Sequence, residues 1–179
     1  MNKKIIILGI LISALCSCKH VFFSNEEKDW INALDQEDTL YFCDTKGSIA
    51  TLIPTYFNFR QPKTDNPFDL NPNQIEVGND GSSAGIAFLF NHSGDVIHID
   101  LYFSARQTSY HDLEVDINNC RFCYVEDFEN FIKNKTTIIL YKNRNEFYDT
   151  NIDFLVFNKD EGLSSLSIDG NIFNRCKIR

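Results

Sequence analysis

The stretch Ala84–Phe103, AGIAFLFNHSGDVIHIDLYF, decides the fold class. Two runs of apolar, β-branched and aromatic residues flank a cluster of turn formers, Asn91-His92-Ser93-Gly94-Asp95. In the second run the period is two. Ile97, Ile99, Leu101 and Phe103 fall on one face, and His98, Asp100 and Tyr102 on the other. Strand side chains alternate between faces, so the pattern predicts a β-hairpin with one buried and one wet side, as in an antiparallel sheet. The next stretch repeats it, with Leu113, Val115 and Ile117 inward and Asp112, Glu114 and Asp116 outward.

Working upstream, Thr39 to Cys43 and Ser48 to Ile53 read as a second hairpin around Asp44-Thr45-Lys46-Gly47, with glycine at the turn's end where a positive φ is useful. Pro54 has no N–H to donate, so it is expected to end the central pairing or to sit on an edge. Thr55 to Ser83 is the least regular part. Tyr56, Phe57 and Phe59 stand at its entrance, and Phe68 and Leu70 lie inside it. Working downstream, Thr136 to Tyr141 reads as a buried strand. Ile152 to Phe157 and Leu163 to Ile168 form a closing hairpin, and Arg175 to Arg179 a basic tail. Two helices interrupt the strands. Ser24 and Glu27 have capping-box spacing ahead of a helix from about Asn25 to Leu34, whose Trp30, Ile31 and Leu34 share a face. Trp30 is expected to plug the end of the sheet. A second helix, Val125 to Lys133, has Val125, Phe128 and Ile132 as its apolar stripe. The reading is an all-β chain, an antiparallel sandwich or barrel of about eight strands with two short helices.

The first residues have another character. Lys3 and Lys4 precede the apolar run Ile5 to Leu15, which is shorter than the roughly 20 residues a spanning helix needs and suits a secretory leader. The run ends in Leu15-Cys16-Ser17-Cys18. This resembles a bacterial lipobox: a large aliphatic residue, a spacer, a small residue, then the cysteine. The resemblance implies cleavage after Ser17, acylation of Cys18 and attachment to a membrane through it. The expected organisation is a signal peptide at 1–17, a tether at 18–23 and a single β-rich domain at 24–179.

The lipobox together with SNEEKDW (24–30) and DTLYFCDTKGSIATL (38–52) is similar to small Bacteroidota lipoproteins. Those often open with an acid-rich turn and a tryptophan, followed by Asp-Thr-Leu, a strand, a glycine turn and a strand. The resemblance implies a source and a cell-envelope placement, not an activity. Lys19-His20-Val21-Phe22-Phe23 lacks the early acidic cluster that resembles a surface-export signal in that group. An outer-membrane anchor facing the periplasm is therefore expected ahead of exposure at the cell surface. Asp38-Thr39-Leu40 resembles the same group's O-glycosylation sequon, with Thr39 as the attachment residue.

Lys and Arg number 17 against 25 Asp and Glu, a formal charge of −8. Loss of Lys3 and Lys4 with the leader makes the mature chain more acidic still. An acidic surface repels phosphate backbones, which argues against nucleic acid as a partner, and it adds no pull toward anionic headgroups.

Past Cys18, four cysteines remain as disulfide candidates: Cys43, Cys120, Cys123 and Cys176. They allow up to two bridges with three connectivities. Cys120-Arg-Phe-Cys123 just ahead of a helix is the sharpest chemical motif, since a helix N-terminus lowers a thiol's pKa. His98 and Asp100 on one strand, near Asp112, Glu114 and Asp116 on the next, make a candidate acidic patch for a divalent metal or glycosidase-like chemistry. Such acids more often solvate the wet side of a sheet. His20, His92 and His111 fall in a tether, a turn and a loop. No catalytic set, metal site or cofactor motif emerges. The expected function is a lipid-anchored envelope module that binds a protein or glycan ligand. The alternative is an envelope enzyme, either thiol–disulfide or metal-dependent hydrolytic.

Overall fold

A computed structural model describes residues 22–35, 38–60, 81–105, 111–143 and 151–177. The leader, Cys16, Cys18, His20, Phe68 and Leu70 lie outside the described residues. Ten strands form one antiparallel sheet in the order β6-β5-β4-β3-β2-β1-β10-β9-β8-β7. They are β1 (Leu40–Cys43), β2 (Ile49–Arg60), β3 (Ser82–His92), β4 (Asp95–Ala105), β5 (His111–Ile117), β6 (Cys120–Val125), β7 (Thr137–Tyr141), β8 (Ile152–Asn158), β9 (Gly162–Ile168) and β10 (Asn171–Cys176). The sheet curls into a nearly closed barrel. No ladder joins β6 to β7 among the described residues; there the Asn143 N–H donates to the Phe122 carbonyl at 2.8 Å.

The all-β reading holds, with two strands more than expected. Both additions follow two-residue turns. Asn118-Asn119 (φ 51° and 62°) folds β5 back into β6, and Asp169-Gly170 (φ 49° and 73°) folds β9 back into β10. Two successive positive φ values mark the hairpin turn whose twist matches that of the strands it joins. Ser93-Gly94 (φ 55° and 92°) does the same between β3 and β4. Arg175 and Cys176, read as tail, therefore belong to β10, which pairs with β1 and joins β1–β6 to β7–β9 in one sheet.

Pro54 does not end β2. It stays opposite Phe88, and the register shifts between Pro54 and Tyr56. This bulge tolerates the missing N–H and leaves Thr55 free to donate its Oγ1 hydrogen to the Ala87 carbonyl at 3.1 Å. The extra residue also reverses the alternation. Ala50 and Leu52 point inward before it; Phe57 and Phe59 pack on the core after it, and Tyr56 turns out.

Inside, the barrel is filled by aromatic and aliphatic side chains, among them Phe42, Phe88, Phe90, Phe103, Phe122, Phe157 and Phe173. Its outer wall carries the acids of β4 and β5. This is the reverse of a membrane-spanning barrel, which is apolar outside. No described helix is long and apolar enough to cross a bilayer.

Helices α1 (Asn25–Ala33) and α2 (Phe128–Ile132) close the end of the barrel opposite the tight turns. In α1, the Ser24 N–H donates to Glu27 Oε2 at 2.7 Å and the Glu27 N–H to Ser24 Oγ at 3.3 Å, completing the capping box. Trp30, Ile31 and Leu34 are buried as the plug. Helix α2 is shorter than expected. Val125 remains in β6, and the N-cap Asp127 takes a left-handed φ of 55°. Phe128 and Ile132 still face the core. Phe23, expected in the tether, is also buried, 5.9 Å from the Phe59 ring centroid.

Candidate functional site: the outer face of β2 to β6

Register places one row of outward positions across five strands: Asn58, Gly85, Tyr102, Glu114 and Tyr124. The adjacent row is Tyr56, Ala87, Asp100, Asp116 and Arg121. Tyr56, Tyr102 and Tyr124 thus share a face, and each exposes about half of its surface (54%, 50% and 49%). The sequence pattern set Tyr102 on this face. Tyr56 and Tyr124 reach it through bulges, one in β2 and one where the β5–β6 register shifts between Val115 and Asp116.

Between the rings the floor is low. Gly85 lies between Tyr56 and Tyr102. A Cβ built on it would meet Tyr56 Cε1 at 3.4 Å and Tyr102 Cδ1 at 4.0 Å. The rings cover a glycine that would otherwise leave strand backbone bare.

Acids flank the rings. Asp100 stands directly opposite Asp116, and Glu114 opposite Tyr102. Like charges directly opposite each other destabilise a sheet. Arg121 answers in part by donating from Nε and Nη2 to Glu114 Oε1. The Tyr102 phenol is held above its ordinary pKa by burial first, and then by the negative charges of Asp100, Asp116 and Glu114 and by Tyr56. The acidic patch read from the sequence is therefore real as a cluster. His98 lies one row farther along, its backbone N–H donating to Asn118 Oδ1 at 2.9 Å. Among the described residues, no three His, Cys, Asp or Glu side chains are placed to hold a metal ion.

The cysteines separate into two kinds. Cys43 and Cys176 form a disulfide across the β1–β10 ladder, with Cα atoms 5.9 Å apart. Cys120 and Cys123 are thiols. They lie in β6 opposite Ile117 and Val115, whereas α2 begins at Phe128. The expected thiol at a helix N-terminus is corrected accordingly: a strand end and the Asp127 cap intervene.

The remaining candidates are placed singly. Thr39 is exposed just ahead of β1, accessible as a modification site. His92 packs edge-on against Phe173 at 4.7 Å. His111 opens β5 rather than lying in a loop, and its Nδ1 is 2.7 Å from Oε1 of the fully buried Glu27. This pair, which the sequence pattern did not connect, fastens α1 to the barrel. It is enclosed by Phe23, whose ring meets the imidazole edge-on at 6.4 Å. No family model, curated protein or solved structure matches the chain.

Proposed function

We propose that this protein is a lipid-anchored binding module of the bacterial cell envelope, similar to small Bacteroidota lipoproteins, and that the outer face of β2 to β6 is its recognition surface. The observation that carries the reading is the set of three half-exposed tyrosines on one outward face. Tyrosine brings large contact area at low conformational cost and is enriched in binding interfaces. The anchor supplies placement: Leu15-Cys16-Ser17-Cys18 implies acylation of Cys18, on an outer-membrane leaflet facing the periplasm. The partner is a protein or a glycan rather than nucleic acid, given the formal charge of −8.

A photo-crosslinking residue in place of Tyr102, compared in living cells with one in place of Ile172 on β10, tests the surface. Ile172 is 46% exposed on another part of the wall. A discrete adduct from position 102 and none from position 172 is expected. Equal adducts from both positions, or none from either, would overturn the assignment.

A further inference from the structure

The turn Asp169-Gly170 joins β9 to β10, and two consecutive N–H groups hold it to the start of β8. The Asp169 N–H donates to the Asn151 carbonyl at 2.8 Å. The Gly170 N–H donates to Asp153 Oδ2 at 3.1 Å. The same oxygen accepts the Ser167 hydroxyl at 2.7 Å. Asp153 reaches the turn because it is the extra residue of a bulge: the β8–β9 register shifts between Ile152 and Phe154. Bulges re-aim side chains, and this one turns a carboxylate toward the next hairpin.

The contact has a chemical meaning because Asp-Gly is a reactive pair. The Gly170 amide nitrogen can attack Asp169 Cγ. A new N–C bond closes a five-membered imide, and the amide proton and the carboxyl hydroxyl leave as water. Water then adds to the imide, and opening at the Asp169 backbone carbonyl leaves isoaspartate. Glycine has no Cβ to crowd the attacking nitrogen. Both residues are exposed, and a Cβ built on Gly170 would meet nothing within 4 Å. Sterics therefore do not protect the pair. Hydrogen bonding does. To attack, the Gly170 nitrogen must turn out of its peptide plane and give up its hydrogen, and that breaks the bond to Asp153. A bond to an ionised acceptor is among the stronger ones.

We infer that Asp169 is a site of isoaspartate formation and that Asp153 guards it, as a positioning residue that holds the Gly170 N–H out of the reaction. Isoaspartate adds a carbon to the backbone of a turn that has only two residues, both at positive φ. Damage here would loosen β10, the strand that joins β1–β6 to β7–β9 and carries Cys176.

The test incubates the purified protein in heavy-oxygen water at neutral pH, below its melting temperature. Imide hydrolysis places one heavy oxygen at Asp169, read by fragmentation of tryptic peptide 160–175, which contains no cysteine. Folded wild type should label at least about tenfold more slowly than the same chain unfolded in urea. Asp153→Ala should speed labelling of the folded protein about tenfold, the effect of one charge-assisted hydrogen bond. Asp153→Asn keeps an acceptor oxygen and should speed it only about threefold. Ser167→Ala removes the other donor to Asp153 and should stay within about twofold of wild type. Labelling at Asp160, in the same peptide, should not change in any variant. Melting curves establish that each variant is folded, and if Asp153→Ala is not, Asp153→Asn decides. Equal labelling of folded and unfolded wild type would overturn the inference. So would wild-type labelling in the folded Asp153 variants, or Ser167→Ala labelling as fast as Asp153→Ala. Slower labelling without the carboxylate would make Asp153 a base for the attack and not a guard, and would overturn it too.

Discussion

Oε1 of Glu27 meets Nδ1 of His111 at 2.7 Å across 84 residues of sequence. The carboxylate is fully buried, and its second oxygen accepts the Ser24 N–H, so one side chain both caps α1 and ties it to β5. Removing one member of a buried pair leaves the other without compensation, at a typical cost of 3–5 kcal/mol. His111→Ala should therefore lower stability by about 3 kcal/mol in urea titrations. Adding Glu27→Gln should restore part of the loss, since a neutral amide still serves the capping box. A double variant less stable than His111→Ala would show that the two groups do not act as a pair.

Gly162 is expected to tolerate no side chain. Its φ of 74° is strained for other residues, and a Cβ there would lie 2.4 Å from the Ala33 carbonyl oxygen at the end of α1. Backbone meets backbone, so no rotamer change relieves the clash. Gly162→Ala should cost at least about 2 kcal/mol, measured by the denaturation midpoint, with Gly47→Ala as the comparison. Gly47 has a similar φ but open space around it, so a smaller loss is expected there.

The Cys43–Cys176 bridge spans 133 residues and staples the junction between the first strand and the last. Chain entropy assigns such a loop about 5 kcal/mol. Cys43→Ser should lower the melting temperature sharply and remove its dependence on reductant. Cys120→Ser should leave that dependence intact. A reductant-dependent melt in Cys43→Ser would indicate a different bridge.

Tyr102 should ionise above its ordinary value of 10.0, because burial and then Asp100, Asp116 and Glu114 disfavour the phenolate. The folded state keeps this proton to higher pH than the unfolded chain. Stability is thus untouched below pH 10 and falls as pH rises past it. Ultraviolet titration of tyrosinate, with Tyr102→Phe as the difference control, should show one late-ionising group that moves toward 10.0 in Asp100→Asn. An unmoved titration would mean that Asp100 contributes nothing at the ring.

Cys18→Ala should release a folded domain from membranes. Acyl burial contributes about 0.8 kcal/mol per CH₂ to membrane affinity and nothing to packing inside the barrel. Wild type should incorporate labelled palmitate and partition into detergent, and Cys18→Ala should do neither. Continued labelling in Cys18→Ala would move the anchor to Cys16 or to an uncleaved leader.

Much of the barrel was legible because alternation is local. Ile99, Leu101, Phe103, Leu113, Val115 and Ile117 all point inward as their period demands. The two missed strands had a readable signal: Asp169-Gly170 is a strong hairpin dipeptide, and Asn118-Asn119 a weaker one. The β2 bulge had a faint signal: Pro54 suits a bulge, and the apolar period changes phase from Ala50 and Leu52 to Phe57 and Phe59. Reading Pro54 as a strand end hid it, and so Tyr56 was not placed beside Tyr102. The Glu27–His111 pair was hidden for a different reason. Its partners lie far apart in the chain, and only closure of the barrel brings them together.

Phe23 sits in the core five positions after Cys18. At about 3.5 Å per residue, the chain between them reaches at most ~17 Å. Strand β3 alone runs 11 residues, about 37 Å along its length. An acylated Cys18 would therefore hold the barrel on a leash shorter than its own height, with the helix-plugged end toward the lipid and the tight turns pointing away. A domain so tied can swivel and tilt but cannot turn its far end to the lipid. Its tyrosine wall would then stay within reach of partners that share the same leaflet.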